Sequence, residues 1–119
     1  MPSSKKESSL LYFKFLNLVA AARRLPGIPE VDAVEDRILA FLARSWYVGD
    51  RISVVEAMNG MPDISPSTVQ RRLKALRSKG LLRVESDAQD NRLKYVQPTD
   101  LSMRYFAALG QCMRKAQAT

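Results

Sequence analysis

The 119-residue chain contains no histidine and one cysteine, Cys112. Without histidine it lacks the side chain that most often moves protons near neutral pH. A lone thiol can form neither an internal disulfide nor a multi-thiolate metal site. Cys112 falls on an apolar helical stripe and reads as a small buried hydrophobe. An enzyme, a metal site and a bound cofactor are therefore not expected. A reducing cytoplasm fits this cysteine usage. Long apolar runs are missing too. The stretch Leu10–Val19 is broken by Lys14 and Asn17, and it is too short to span a bilayer. Lys5–Lys6 before it and Ala20–Ala22 after it imitate a signal peptide, but Arg23–Arg24 follow at once. The segment is read as an ordinary helix, with export the alternative.

Acidic residues are also absent from one region. Between Ile64 and Val84 there are none, while Arg71, Arg72, Lys74, Arg77, Lys79 and Arg83 supply six cations. The net charge is +7 overall, +1 over residues 1–50, +4 over 51–98 and +2 over 99–119. A basic balance favours polyanionic partners and says nothing about fold. Hydrophobic residues make up 46% of the chain, enough for one domain of ordinary size to bury a core.

Met1–Ser9 reads as a flexible polar leader, followed by a single domain over residues 10–119. A first helix spans 10–25 and is apolar nearly all round, with Leu11, Phe15, Leu18 and Ala22 on one face and Phe13, Leu16 and Ala20 on another. Such a helix must be covered, by a second subunit or as a central helix of the monomer. Pro26-Gly27-Ile28-Pro29 ends it. A second helix carries Glu30, Asp32, Glu35 and Asp36 near its start and a stripe of Val31, Val34, Ile38, Phe41 and Leu42, with Trp46 and Tyr47 packing at its end.

After a short extended Asp50-Arg51-Ile52, the motif Ser53-Val54-Val55-Glu56 is a capping box. It opens a brief helix that Gly60, Pro62 and Asp63 stop. Ser65 and Pro66 then cap and start a helix running to Lys79, closed by Gly80. Strands over 81–85 and 93–97 flank the turn-rich segment Ser86–Arg92 and form a hairpin. Thr99 caps a last helix, 99–117, whose apolar side holds Leu101, Tyr105, Leu109, Cys112 and Ala116, with Phe106 and Met113 beside it.

Helix, tight turn, capped helix and hairpin together predict a winged helix-turn-helix. The fold class is mainly α with a small β-hairpin wing (α+β), flanked by N- and C-terminal helices. In the helix from Ser65, the residues Val69, Leu73 and Leu76 share one face, and with Leu81 and Val84 they are expected in the core. Ser67, Thr68, Gln70, Arg71 and Lys74 then point outward, with Arg72 and Arg77 on the flanks. A helix N-terminus offers free amides to phosphate. Arginine and glutamine can each bond two acceptor or donor groups of one base. Lys79, like Arg77, suits phosphate contact, and Lys94 on the second strand completes the cationic candidates.

Ser65-Pro66-Ser67-Thr68-Val69, Arg71, Leu73, Leu76, Lys79-Gly80-Leu81, Asp90-Asn91-Arg92 and Thr99 follow one another at the spacing of a known pattern. Through them the region from about Val31 to Ser102 resembles the core of the MarR-type regulators, named for multiple antibiotic resistance. The resemblance implies that Arg92 enters the minor groove from the wing and that Asp90 braces it. It also implies a homodimer joined through the terminal helices, often with a pocket near that junction for a small-molecule effector, here unknown. Ser102 stands where the family's Thr-x-x-Gly has glycine. The leading reading is a sequence-specific regulator of transcription that binds double-stranded DNA. The alternatives are a plasmid or phage winged-helix protein serving replication, partition or packaging, and a winged helix that binds protein.

Overall fold

The computed structural model describes residues 4–118. The elements run α1 (Lys5–Ala22), α2 (Ala33–Tyr47), α3 (Val54–Asn59), α4 (Pro66–Ser78), β1 (Arg83–Ser86), β2 (Lys94–Gln97) and α5 (Asp100–Gln117). The chain divides into two compact units, Val31–Ser102 and the two terminal segments 1–30 and 103–119. The first matches the span of the sequence resemblance. Among the described residues no helix is long and apolar enough to cross a membrane. No three His, Cys, Asp or Glu among them are grouped to hold a metal ion.

In the central unit every helix start is fixed by a side chain. Asp32 accepts the amide of Glu35 while Glu35 accepts that of Asp32, a capping box that opens α2. Ser53 and Glu56 do the same for α3. Ser65 accepts the amide of Thr68 at the start of α4, where Pro66 occupies the first helical position. Helix α4 ends in a Schellman motif. The Leu81 amide reaches the Leu76 carbonyl at 2.9 Å and the Gly80 amide reaches that of Arg77 at 3.0 Å. Gly80 has φ +81°, which disfavours any residue with a Cβ. Leu76 and Leu81, which this motif brings together, are both fully buried.

The hairpin is antiparallel, with Val84 opposite Val96 and Ser86 opposite Lys94. An isolated bridge pairs Ser53 with Tyr95, and the Val96 amide bonds the Ile52 carbonyl, so the segment before α3 lies along β2. Helix α4 packs on α2 and α3, and α3 on β2. Ile38, Leu39, Leu42, Ile52, Ala57, Val69, Leu73, Leu76, Leu81, Leu82 and Val96 are buried. Gly60 closes α3 without a left-handed backbone; a Cβ there would collide with the ring of Phe41. Thr99 and Ser102 cap the start of α5 reciprocally, amide to hydroxyl, at 3.1 and 2.8 Å. Ser102, fully buried, thus serves a cap that glycine could not. The Thr99 hydroxyl also donates to the Gly80 carbonyl at 2.6 Å.

In the terminal unit α1 begins at Lys5, because Ser4 accepts the amide of Glu7. The leader expected over residues 1–9 is therefore helical from Lys5 on, and its residues 1–3 lie outside the described residues. The helix ends at Ala22, not at residue 25, and turns through Gly27 at φ +83°. No residue of α1 is buried. Lys14 donates to the Ala118 carbonyl at 2.9 Å, and Tyr105 and Phe106 stack edge to face at 5.7 Å. Tyr105, Cys112 and Ala116 are buried, as the stripe of α5 predicts.

Two packing expectations fail. Val84 is half-buried instead of core. Tyr47 is 90% exposed, while Trp46 does pack, its indole N–H donating to the Val96 carbonyl at 3.1 Å.

Candidate nucleic-acid interface

Helix α4 turns about 100° per residue, so burial of Val69, Leu73 and Leu76 orients every other side chain on it. Ser67, Arg71 and Lys74 lie on the opposite side and are exposed. Gln70 and Arg77 lie on one flank, Arg72 and Lys79 on the other. The start of the helix is a network of small hydroxyls. The Ser65 hydroxyl donates to that of Thr68 at 2.8 Å and lies 3.3 Å from that of Ser67, and Arg71 Nη2 approaches Thr68 Oγ1 at 3.4 Å. Ser65 is thus spent on the cap, while the Ser67 side chain stays at the surface.

The flank with Gln70 and Arg77 faces the hairpin across an open groove of about 180 Å³. Leu73, Leu82, Val84 and Val96 form its apolar floor; Gln70, Lys74, Arg77 and Lys94 rim it. Here lies the reason Val84 is only half-buried. Among the described residues, Arg71, Lys74, Arg77 and Lys94 have no ion-pair partner.

The opposite flank is neutralised from within the unit. Arg72 Nη1 lies 2.9 Å from Asp32 Oδ2. Lys79 Nζ lies 2.8 Å from Oε1 of Glu35, whose side chain is 2% exposed. Arg72 and Lys79, both among the DNA-contact candidates of the sequence, are here ion-paired to the start of α2. Arg83 pairs with Glu85 on its own strand at 3.4 Å. Of the acid-free run, Arg71, Lys74 and Arg77 remain open to a ligand.

The wing is held by a succession of carboxylates. Asp87 accepts the amides of Gln89 and Asp90 at 2.8 and 3.2 Å. Asp90 accepts the Arg92 amide at 3.0 Å and grips its guanidinium with both oxygens, at 3.1 and 3.3 Å. The Arg92 side chain is 90% exposed at the wing tip. Its guanidinium, and then its amide, hold the Asp90 carboxyl below its ordinary value. Asp90 thus holds both the backbone and the guanidinium of Arg92.

Three contributors were not recognised in the sequence. Asp32 and Glu35 fit the Asp-x-x-Glu form of a capping box, a signal that was present. Their ion pairs to α4 had none. Arg51 lies 3.8 Å over the ring of Tyr95 and 3.9 Å from Asp87, at the base of the wing.

No protein-family model and no curated protein matches the sequence. Solved structures do resemble the chain. A mutant MepR of S. aureus bound to an oligodeoxyribonucleotide is 15% identical, with a TM-score of 0.68 over 97% of this chain and 79% of that one. The heme sensor protein PefR from Streptococcus agalactiae, in complex with heme, is 15% identical, with a TM-score of 0.61 over 97% and 76%. The YusO protein from Bacillus subtilis is 19% identical, with a TM-score of 0.58 over 93% and 70%. These are MarR-family winged-helix proteins, and what they share with this chain is the fold: a winged helix with a helix at each end.

Proposed function

We propose that the chain is a sequence-specific, duplex-DNA-binding regulator of transcription that acts as a cytoplasmic homodimer and not as an enzyme. The observation that carries this reading is the open side of α4. Arg71 stands beside the Thr68 hydroxyl, Gln70, Lys74 and Arg77 rim the groove toward the hairpin, and the cations among them have no carboxylate partner within the described residues. A carboxylate-free cationic helix beside a wing with Arg92 at its tip matches the charge and shape of a major groove flanked by a minor one. Phosphates crossing the groove between α4 and the hairpin would meet Lys74, Arg77 and Lys94. The DNA-bound MepR shows that this fold can hold an oligonucleotide.

Selection of bound sites from random duplex DNA tests the reading. A single enriched motif, arranged as an inverted repeat and located near promoters, is the expected result. Enrichment at repeated origin or partition sites would move the function to plasmid or phage maintenance. No salt-sensitive shift of any duplex would remove DNA as the partner and leave a protein ligand.

A further inference from the structure

We propose that Asp32 and Glu35 are specificity-determining residues that withhold Arg72 and Lys79 from the DNA backbone, an inference that rests on α4 being the helix that enters DNA. The ion pairs divide α4 lengthwise. On the wing side Lys74 and Arg77 rim an open groove with Lys94 opposite them. On the other side Arg72 and Lys79 each meet an acid from the start of α2, at 2.9 and 2.8 Å.

The two acids are the pair that caps α2, and each serves both tasks. Asp32 Oδ1 takes the Glu35 amide, leaving Oδ2 for Arg72. Glu35 Oε1 takes both the Asp32 amide and the Lys79 ammonium. One local pattern thus fixes a helix end and neutralises a flank of α4.

The consequence for binding follows from how affinity and selectivity arise. Affinity for any duplex grows with each phosphate that a cation neutralises, whatever the sequence. Selectivity is a difference, and weakening the unwanted complex raises it. Pairing Arg72 and Lys79 internally lowers the sequence-blind part while leaving Gln70 and Arg71 untouched. Backbone contacts are confined to the wing side of the helix, which also fixes how it lies in the groove.

Asp32→Asn tests this, since asparagine caps a helix as well as aspartate does but carries no charge. The variant is expected to bind a random duplex about two- to five-fold more tightly, the range of an exposed ion pair. Its salt slope should steepen by up to about 0.9 as Arg72 reaches a phosphate. On the selected site, where base contacts by Gln70 and Arg71 hold α4 with its wing side to the backbone, Arg72 is turned away from the phosphates, so the gain should be smaller and the ratio between the two narrows. Adding Arg72→Ala should cancel the gain, costing more there than in the native protein, whereas adding Arg72→Lys should preserve it. If Asp32 acted only as a distant charge, the Asp32→Asn and Arg72→Ala effects would add, and additivity overturns the proposal. Unchanged affinity for random DNA overturns it equally. Should Asp32→Asn fail to fold, Asp32→Ser offers another capping side chain for the same comparison. A native protein that binds no duplex sinks both this inference and the function above; one that binds its site normally while Asp32→Asn is silent sinks this inference alone.

Discussion

Lys79 donates to Glu35 at 2.8 Å across 44 residues of sequence, from the end of α4 to the first turn of α2. The carboxylate it meets is buried, and its other oxygen, Oε2, has no hydrogen-bond partner among the described residues. A buried carboxylate in that position depends on its cation. Lys79→Ala should therefore destabilise the protein by about 1.5–3 kcal/mol, the range for a hydrogen bond to a charged group. Urea unfolding would show it as a lower midpoint. The salt dependence of DNA binding should stay as it was, and a slope shallower by about 0.9 would return Lys79 to the phosphate contacts.

Arg71 and Arg77 separate reading from holding. Arg71 stands opposite the buried face near the start of α4, beside Thr68, while Arg77 lies a turn and a half later at the groove rim. Arg71→Ala should cost about 1–3 kcal/mol on the best site and much less on random duplex. Arg77→Ala should weaken both about equally and make the salt slope about 0.9 shallower. Titrations on both DNAs at several salt concentrations check this; equal losses for Arg71→Ala would reduce it to a phosphate contact.

The limits of α4 were legible because they are local. Ser65, Pro66 and Gly80 declare a start and an end within a few residues, and the leucine spacing declares which side is buried. The span Val31–Ser102 came from the resemblance to MarR-type regulators, carried by Ser65–Val69, Lys79-Gly80-Leu81, Asp90-Asn91-Arg92 and Thr99. What escaped depends on distance in sequence. No helical wheel shows that Arg72 and Lys79 bend toward α2, because their partners lie about forty residues upstream. Arg51 met Tyr95 only through pairing of its segment with β2. Tyr47 was misplaced because helical spacing cannot say where neighbouring elements stop covering a helix end. The early start of α1 came from a cap at Ser4 hidden in a run of polar residues.

The wing carries a pH prediction with a definite sign. Arg92 lowers the Asp90 carboxyl from its ordinary value of 3.8. A depressed folded-state value means the pair's contribution is present above about that pH and is lost as pH falls through the folded value. Wing order should thus be constant from pH 8 to pH 5 and fade only below 3.8. Carboxyl titration by NMR should place Asp90 higher in Arg92→Ala than in the native protein. Equal values in the two proteins would show that the contact does not persist in solution. On DNA, Arg92→Ala should weaken binding while sparing most base preference within the main half-site, because a narrow minor groove is read by shape and potential. Asp90→Ala should do less, acting through wing order.

Helix α1 carries the last prediction, that two copies associate through the terminal segments. Leu10, Leu11, Tyr12, Phe13 and Leu16 are 40–57% exposed, and no residue of the helix is buried. Leu11, Tyr12 and Phe15 also line an apolar groove of about 320 Å³ with Met113 and Ala116 of α5. Exposed apolar surface of this extent on a single helix is what an association between copies would cover. A two-fold dimer would cover it, and its DNA half-sites should lie about one turn, or a multiple of it, apart. Sedimentation at micromolar concentration should give a dimer. Phe13→Lys and Leu16→Lys together should shift it toward monomer, because burying the two charges without partners opposes association. The monomeric variant should keep its helical content and its weak affinity for a single half-site, but lose the added affinity of the paired site. A native protein that sediments as a monomer at every concentration, with both half-sites bound independently, would refute the dimer.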